Sequence, residues 1–126
     1  MIPIFEKAAH YANGGLIAIQ WVGTDGAVVD QDAAQRRADT CLKCPCRIPT
    51  PAALGFAADS IKSILELKNH LQLRVNGEEE VGSCKICDCV NRLKVWMPIE
   101  QVRKDLDDDE FARLDLKCWI RSELQA

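Results

Sequence analysis

The sequence predicts a small α+β domain, and three observations carry that expectation. A chain of 126 residues has room for one hydrophobic core and not for two. Its apolar residues switch between alternation, which suits strands, and three-to-four-residue spacing, which suits helices. Two Cys-x-x-Cys-x-Cys clusters, 39 residues apart between Cys44 and Cys84, frame a central stretch with helical patterning. The expected order is an N-terminal helix and β-hairpin, a helical insert between the two cysteine knuckles, and a C-terminal strand and helix. Residues 1–126 are read as a single domain, with 1–40 forming the helix, hairpin and helix, and 41–119 the cysteine-bearing region around an insert over 50–76.

Each element has a local reason. Residues 3–12 read as a short helix with Pro3 in its first turn, stopped by Asn13-Gly14-Gly15. Leu16 to Val22 is rich in β-formers, Gly23-Thr24-Asp25-Gly26 looks like a hairpin turn, and Ala27 to Val29 reads as the return strand. Asp30 or Asp32 can cap a helix through about Asp39 that delivers the chain to the first cluster. Thr50-Pro51 starts a helix that Gly55 weakens. From Asp59 to Val75, Ile61, Ile64, Leu65, Leu67 and Leu71 recur at helical spacing up to the stop at Asn76-Gly77. Glu78 to Glu80 reads as a solvated acidic turn. Leu93 to Met97 alternates like a strand. Pro98 to Leu106 reads as a helix, and Asp107 to Glu110 as an acidic cap for a helix over Phe111 to Leu116.

Composition narrows the function classes. Only seven residues are aromatic, so a cross-link of some kind would usefully supplement the core. A formal charge of −3 argues against general nucleic-acid binding, which needs an excess of Lys and Arg to displace counterions. The first 22 residues resemble no secretory signal, and the run Leu16 to Val22 is too short to span a membrane. A reducing, cytoplasmic setting is expected, where thiols persist as metal ligands or reactive groups. The seven cysteines are also an odd number for a full disulfide scheme.

Two residues between cysteines allow a tight turn to aim both thiolates at one ion, and two such pairs in a short chain point to structural zinc. The simplest four-ligand set is Cys41, Cys44, Cys84 and Cys87. In a second arrangement Cys84, Cys87, Cys89 and Cys118 hold one ion and the first cluster another; six thiolates could also hold two bridged zincs. Spacing does not choose among these. Taken alone, Cys118 reads as a buried apolar residue. An iron–sulfur carrier would ordinarily show denser ligand runs, and a redox dithiol would sit in a βαβ pattern that is absent here. His10 and His70 form no metal-binding or catalytic pair, and no phosphate loop, nucleophile elbow or paired carboxylates point to an enzyme.

With the cysteines placed, the order Arg37-Ala-Asp-Thr-Cys41-Leu-Lys-Cys44-Pro45, Cys84-Lys-Ile-Cys87-Asp-Cys89, Lys94-Val95-Trp96-Met97-Pro98 and Cys118-Trp119 resembles a group of small cysteine-rich proteins of tailed bacteriophages and prophages. Trp21-x-Gly23 and Gln35-x-Arg37-Ala38 are similar to members with an N-terminal hairpin. The resemblance covers roughly residues 20–119. It implies Cys89 and Cys118 as further zinc ligands and leaves Cys46 as the extra cysteine. Asp88 stands where that group has glycine, and the helix-bearing insert is a second departure. The expected function is that of a non-catalytic, phage-type zinc-binding accessory protein with a protein partner, in the host bacterial cytoplasm or in the virion. It would serve virion assembly, or bind and inhibit a host component such as a defence nuclease. The acidic stretches Glu78–Glu80 and Asp107–Glu110 are candidate contact surfaces. The alternative is a zinc-ribbon-like nucleic-acid binder using Arg36, Arg37, Lys43, Arg47, Lys85, Arg92 and Lys94; an iron–sulfur or thiol redox protein is the third class.

Overall fold

The computed structural model describes residues 20–23, 26–86 and 89–125. A helical turn over residues 20–23 is followed by α1 (Gln31–Leu42), β1 (Arg47–Ile48), α2 (Ala52–Asn69), β2 (Ser83–Cys84), α3 (Asn91–Lys94), α4 (Ile99–Asp105), α5 (Asp108–Arg113) and α6 (Trp119–Gln125). The two strands form one short antiparallel sheet. Mixed helix and strand content is broadly what an α+β reading asks for, although helices dominate. No helix among the described residues is long and apolar enough to cross a membrane.

The N-terminal expectations fare unevenly. The helix over 3–12 and the first part of the strand from Leu16 lie outside the described residues. Where the strand should continue, residues 20–23 are helical. Trp21 is fully buried there, and its indole N–H donates to the Ala27 carbonyl at 2.6 Å. The Gly26 N–H returns to the Trp21 carbonyl at 2.9 Å, with Gly26 at a positive φ of 60°. Ala27 to Val29 is no return strand. Val29 N–H instead donates to the Trp96 carbonyl, far along the chain. Burial of one tryptophan outweighs the β propensity of its neighbours.

Helix α1 begins as expected, with the Asp30 side chain accepting from the Ala33 N–H at 2.8 Å. It runs past Asp39 to Leu42, so Cys41 sits in its last turn. Ala34, Arg37, Ala38 and Cys41 form its buried stripe. Helix α2 passes through Gly55 without interruption. The Arg92 guanidinium approaches there so closely that a Cβ would lie 2.7 Å from Nη2. The helix ends at Asn69, where His70 takes the left-handed conformation (φ 54°), well before Asn76-Gly77.

Only one edge of the insert's apolar pattern faces the core. Leu65 is fully buried and Ile61 packs against the core, but Ile64, Leu67 and Leu71 are exposed. Ion pairs set this rotation: Asp59 with Arg92 at 2.8 Å, and the buried Lys62 ammonium with Glu78 at 2.6 Å. Glu78 is thus half-buried and committed, which corrects the reading of a wholly solvated acidic turn; Glu79 and Glu80 are exposed.

The strand expected over Leu93 to Met97 is also overturned. Every residue from Leu93 to Met97 is buried, and α3 and a following turn carry them. Alternation needs one solvated face, and this segment has none. Helix α4 follows Pro98 closely as expected. Asp107 and Glu110 form a reciprocal capping box on α5, at 2.7 and 3.1 Å. That acidic cap is as anticipated, while its helix is Asp108–Arg113.

Arg37 joins these parts. Only 3% exposed, it donates through Nη1 to the carbonyls of Val95 (2.9 Å) and Met97 (2.7 Å). Its Nε and Nη2 hold both carboxylate oxygens of Glu123 on α6 at 2.8 and 2.6 Å, and its plane lies 4.3 Å over the Trp119 ring. One planar fork thus ties α1 to the turn after α3 and to α6. Replacing it by methionine strands two buried carbonyls. Urea unfolding of Arg37→Met is expected to show a loss of about 2–4 kcal/mol, and Arg37→Lys should recover only part of it.

Candidate metal centre

The first knuckle grows out of the last turn of α1. Cys44 N–H donates to the Cys41 carbonyl at 3.1 Å and Arg47 N–H to the Cys44 carbonyl at 3.2 Å, so the chain from Cys41 to Arg47 is a continuous series of turns. Within it the Cys46 N–H points at the Cys44 sulfur, 3.4 Å away. The second knuckle is a loop closed by Cys84 N–H donating to the Cys89 carbonyl at 3.1 Å, with Ser83 bridging to Val90 beneath it. Cys87 and Asp88 lie outside the described residues.

The two knuckles meet through backbone. Arg47 pairs with Cys84 and Ile48 with Ser83, and Lys85 N–H donates to the Cys46 carbonyl at 2.9 Å. The Thr50 and Ser83 hydroxyls share a hydrogen bond of 2.9 Å alongside. Gly82 makes this approach possible. It sits at φ 57°, and a Cβ would lie 2.2 Å from the Ile48 carbonyl oxygen. Only glycine meets both demands.

Three sulfurs receive hydrogen bonds that favour a thiolate. The Trp119 indole N–H donates to Cys41 Sγ at 3.3 Å in the core. The Cys46 backbone N–H serves Cys44. Lys94, itself only 4% exposed, places its ammonium 2.8 Å from Cys89 Sγ. A cation taken out of water calls for negative charge beside it, and a thiolate supplies that charge. Cys44 has the opposing influences: burial pushes its thiol pKa up, the Cys46 N–H pulls it down, and Cys46, Cys118 and Asp115 add negative charge that raises it further. Such a thiol stays protonated until a cation arrives to offset the repulsion.

Cys118 is therefore a neighbour of the first knuckle and not an isolated core residue. It shares with Cys44 an open cleft of about 580 Å³ bordered by Asp39, Lys43, Asp115 and Lys117. The six described cysteines are thiols, not disulfides. Cys41, Cys44 and Cys46 cluster by sequence, Cys84 and Cys89 lie across the β pair from them, and Cys118 closes in from the start of α6. Even so, among the described residues no three Cys, His, Asp or Glu side chains stand close enough to hold one ion. A four-thiolate set would need described sulfurs to draw closer together, whether or not Cys87 joins them. His70 is exposed at the end of α2, away from this region, and His10 lies outside the described residues.

The basic residues expected around the knuckles divide into two groups. Arg37 and Lys94 are buried, and Arg92 is paired with Asp59, whose carboxyl its hydrogen bond holds below the usual carboxylate range. Arg47 donates to the Glu80 carbonyl at 2.6 Å. Arg36, Lys43 and Lys85 remain exposed without a role in packing. Sequence reasoning had Trp119 and Lys94 in the motif beside the cysteines but gave neither a role at a sulfur, and it passed over Gly82. The signals were present: an indole beside a cysteine, a lysine five residues after one, and a glycine two residues before one.

Comparison with family models, curated proteins and solved structures finds no match to this chain.

Two outcomes follow from this geometry. Gly82→Ala should separate β1 from β2, seen as loss of amide protection at Lys85 in hydrogen exchange and a drop of about 3 kcal/mol or more in unfolding free energy. Lys94→Met should cost about 1–3 kcal/mol and slow alkylation of Cys89, whose thiolate loses its ammonium partner, measured by mass spectrometry after a brief thiol-reagent pulse.

Proposed function

We propose that this chain is a small zinc-stabilised accessory protein that presents a surface to another protein and performs no catalysis. The observation that carries the reading is the antiparallel approach of the two knuckles through Arg47–Ile48 and Ser83–Cys84. Segments far apart in sequence, each ending in a cysteine turn, are set side by side. The donors aimed at Cys41 and Cys89, one on each knuckle, support thiolate character there. Cys41, Cys44, Cys84, Cys87, Cys89 and Cys118 are the candidate ligands. One ion would take four of them, and two ions would share all six.

Zinc suits this set because four thiolates satisfy its tetrahedral preference and leave no open position for chemistry. Its contribution is mechanical: it would lock a loop whose closure costs about 4 kcal/mol of chain entropy. The resemblance to small cysteine-rich phage proteins supplies the setting, a host bacterial cytoplasm or a virion, and the two roles of assembly or inhibition of a host component. The exposed carboxylates of Glu79, Glu80, Asp108 and Asp109 are the part of the acidic stretches left for a partner, since Glu78 and Glu110 serve the fold. The nucleic-acid alternative keeps Arg36, Lys43 and Lys85 as its exposed cations.

Elemental mass spectrometry of protein purified without chelators is expected to give one or two zincs per chain. Iron would replace this reading with electron transfer, and a folded, reduced chain without metal would remove it. Cys84→Ser should release zinc and lower the melting temperature, whereas Cys46→Ser should retain both. Because protons compete with zinc for thiolates, zinc affinity should fall as pH drops, checked by competition with a chromogenic chelator. Quantifying the chain in purified virions then separates assembly from action on the host. Release from nucleic acid by salt would favour the alternative.

A further inference from the structure

Lys94 Nζ lies 2.8 Å from Cys89 Sγ, closer than the Trp119 indole N–H to Cys41 (3.3 Å) or the Cys46 N–H to Cys44 (3.4 Å). The two side chains differ in access. Lys94 is 4% exposed, whereas Cys89 is half-buried and keeps part of its surface in solvent. Lys43, Lys85 and Lys117 also adjoin cysteines in sequence, but they are exposed, where a long side chain keeps its rotamer freedom.

Backbone bonds brace the segment that carries the pair. Cys84 N–H donates to the Cys89 carbonyl at 3.1 Å, and Ser83 bridges to Val90. Asn91 donates through its N–H to the Gly82 carbonyl and through its side-chain amide to the Val81 carbonyl, each at 2.9 Å. Lys94 N–H closes the turn on the Val90 carbonyl at 3.0 Å. Sulfur and nitrogen are thus presented to each other by a fixed turn. Groups held that way react far faster than the same groups free in solution.

We propose that Cys89 and Lys94 are a modification site, joined by an S–N bond when hydrogen peroxide oxidises the sulfur. The thiolate first attacks one peroxide oxygen. An S–O bond forms, the O–O bond breaks, and the products are a sulfenic acid on Cys89 and hydroxide. Hydroxide takes a proton from the Lys94 ammonium, giving water and a neutral amine. The amine lone pair then displaces the sulfenic hydroxyl. The N–S bond forms, the S–O bond breaks, and the hydroxyl leaves as water with a second proton from nitrogen. The sulfur gives up an electron pair, the peroxide accepts it, and the protein loses one hydrogen from each partner. Burial favours this outcome, since a charged pair becomes a neutral link and no ion is left without a counterion. The bond also stops the sulfur short of its irreversible sulfinic and sulfonic acids. Where Cys89 holds zinc, the bond removes that ligand; this consequence rests on the metal reading, but the bond itself does not.

The test is tryptic mapping of the full chain after dilute hydrogen peroxide, run with and without a chelator so that bound metal cannot hide the sulfur in both. Under at least one condition, trypsin should fail to cut after Lys94. Residues 86–92 should then be recovered joined to residues 93–103, lighter than their sum by a pair of hydrogens. Alkylation should show one thiol lost per link, where a disulfide would consume a pair. Dithiothreitol should restore the separate peptides. Lys94→Arg keeps a cation at this position but offers a guanidinium in place of the amine, and Lys94→Gln removes the charge. Both should lose the link, and Cys89 should pass to sulfinic acid that dithiothreitol does not reverse. Lys117→Gln, at an exposed lysine beside Cys118, should leave the link unchanged. In urea, where the braced turn is lost, the yield should fall roughly tenfold or more. Separate peptides with normal cleavage after Lys94 under both conditions would overturn the proposal. So would Cys89 recovered in a disulfide, a joined pair that retains an extra oxygen, or a yield undiminished in urea.

Discussion

The buried Arg37 guanidinium is the constraint on which the rest of the molecule depends. Its donors can be satisfied inside the protein only if two carbonyls and a carboxylate arrive together, and those groups come from distant parts of the chain. The requirement fixes α1 against the turn after α3 and against α6. It also explains why Leu93 to Met97 is not a strand: the carbonyls of Val95 and Met97 are turned toward Arg37, and the Trp96 carbonyl accepts from Val29. Stacked on the same guanidinium, Trp119 is held with its N–H on Cys41. A polar hub thereby sets the geometry of a sulfur.

A second constraint acts on backbone. The knuckles approach through two residues of strand on each side, too short a sheet to persist without support. Support comes from above and below. Gly82 lets the Ile48 carbonyl pass at a distance no side chain would allow, and the Thr50–Ser83 hydroxyl pair closes the flank. Lys62 and Glu78 anchor the return from α2 to β2, since their pair joins the middle of the insert to the turn that leads out of it. A metal held across such a junction would reinforce contacts that the chain already makes, with its binding energy added to folding.

Several features were legible in sequence because their causes are local. The Asp30 cap, the Pro51 and Pro98 helix starts and the Asp107 capping box rest on residues within four positions of one another, and the structure has all of them. The turn at the first cysteine cluster was legible for the same reason. What failed did so where burial is decided at long range. Trp21 entered the core and its surroundings became helical; Leu93 to Met97 were buried on every side; Ile64, Leu67 and Leu71 had helical spacing yet faced outward because ion pairs at Asp59 and Lys62 rotated α2. A basic run near the first cysteines divided, with Arg37 in the core and Arg36 in solvent, although the two are adjacent.

The chain by itself determined its helix boundaries near caps and prolines and the turn at the first cysteine cluster, since short-range hydrogen bonding and residue chemistry dictate these. Tertiary structure alone decided which face of each helix is covered, which cations are buried, and that an indole and an ammonium would be aimed at Cys41 and Cys89. Those outcomes depend on desolvation, and desolvation of a group is a property of everything packed around it. No pattern within a few residues of Arg37 or Lys94 carries that information.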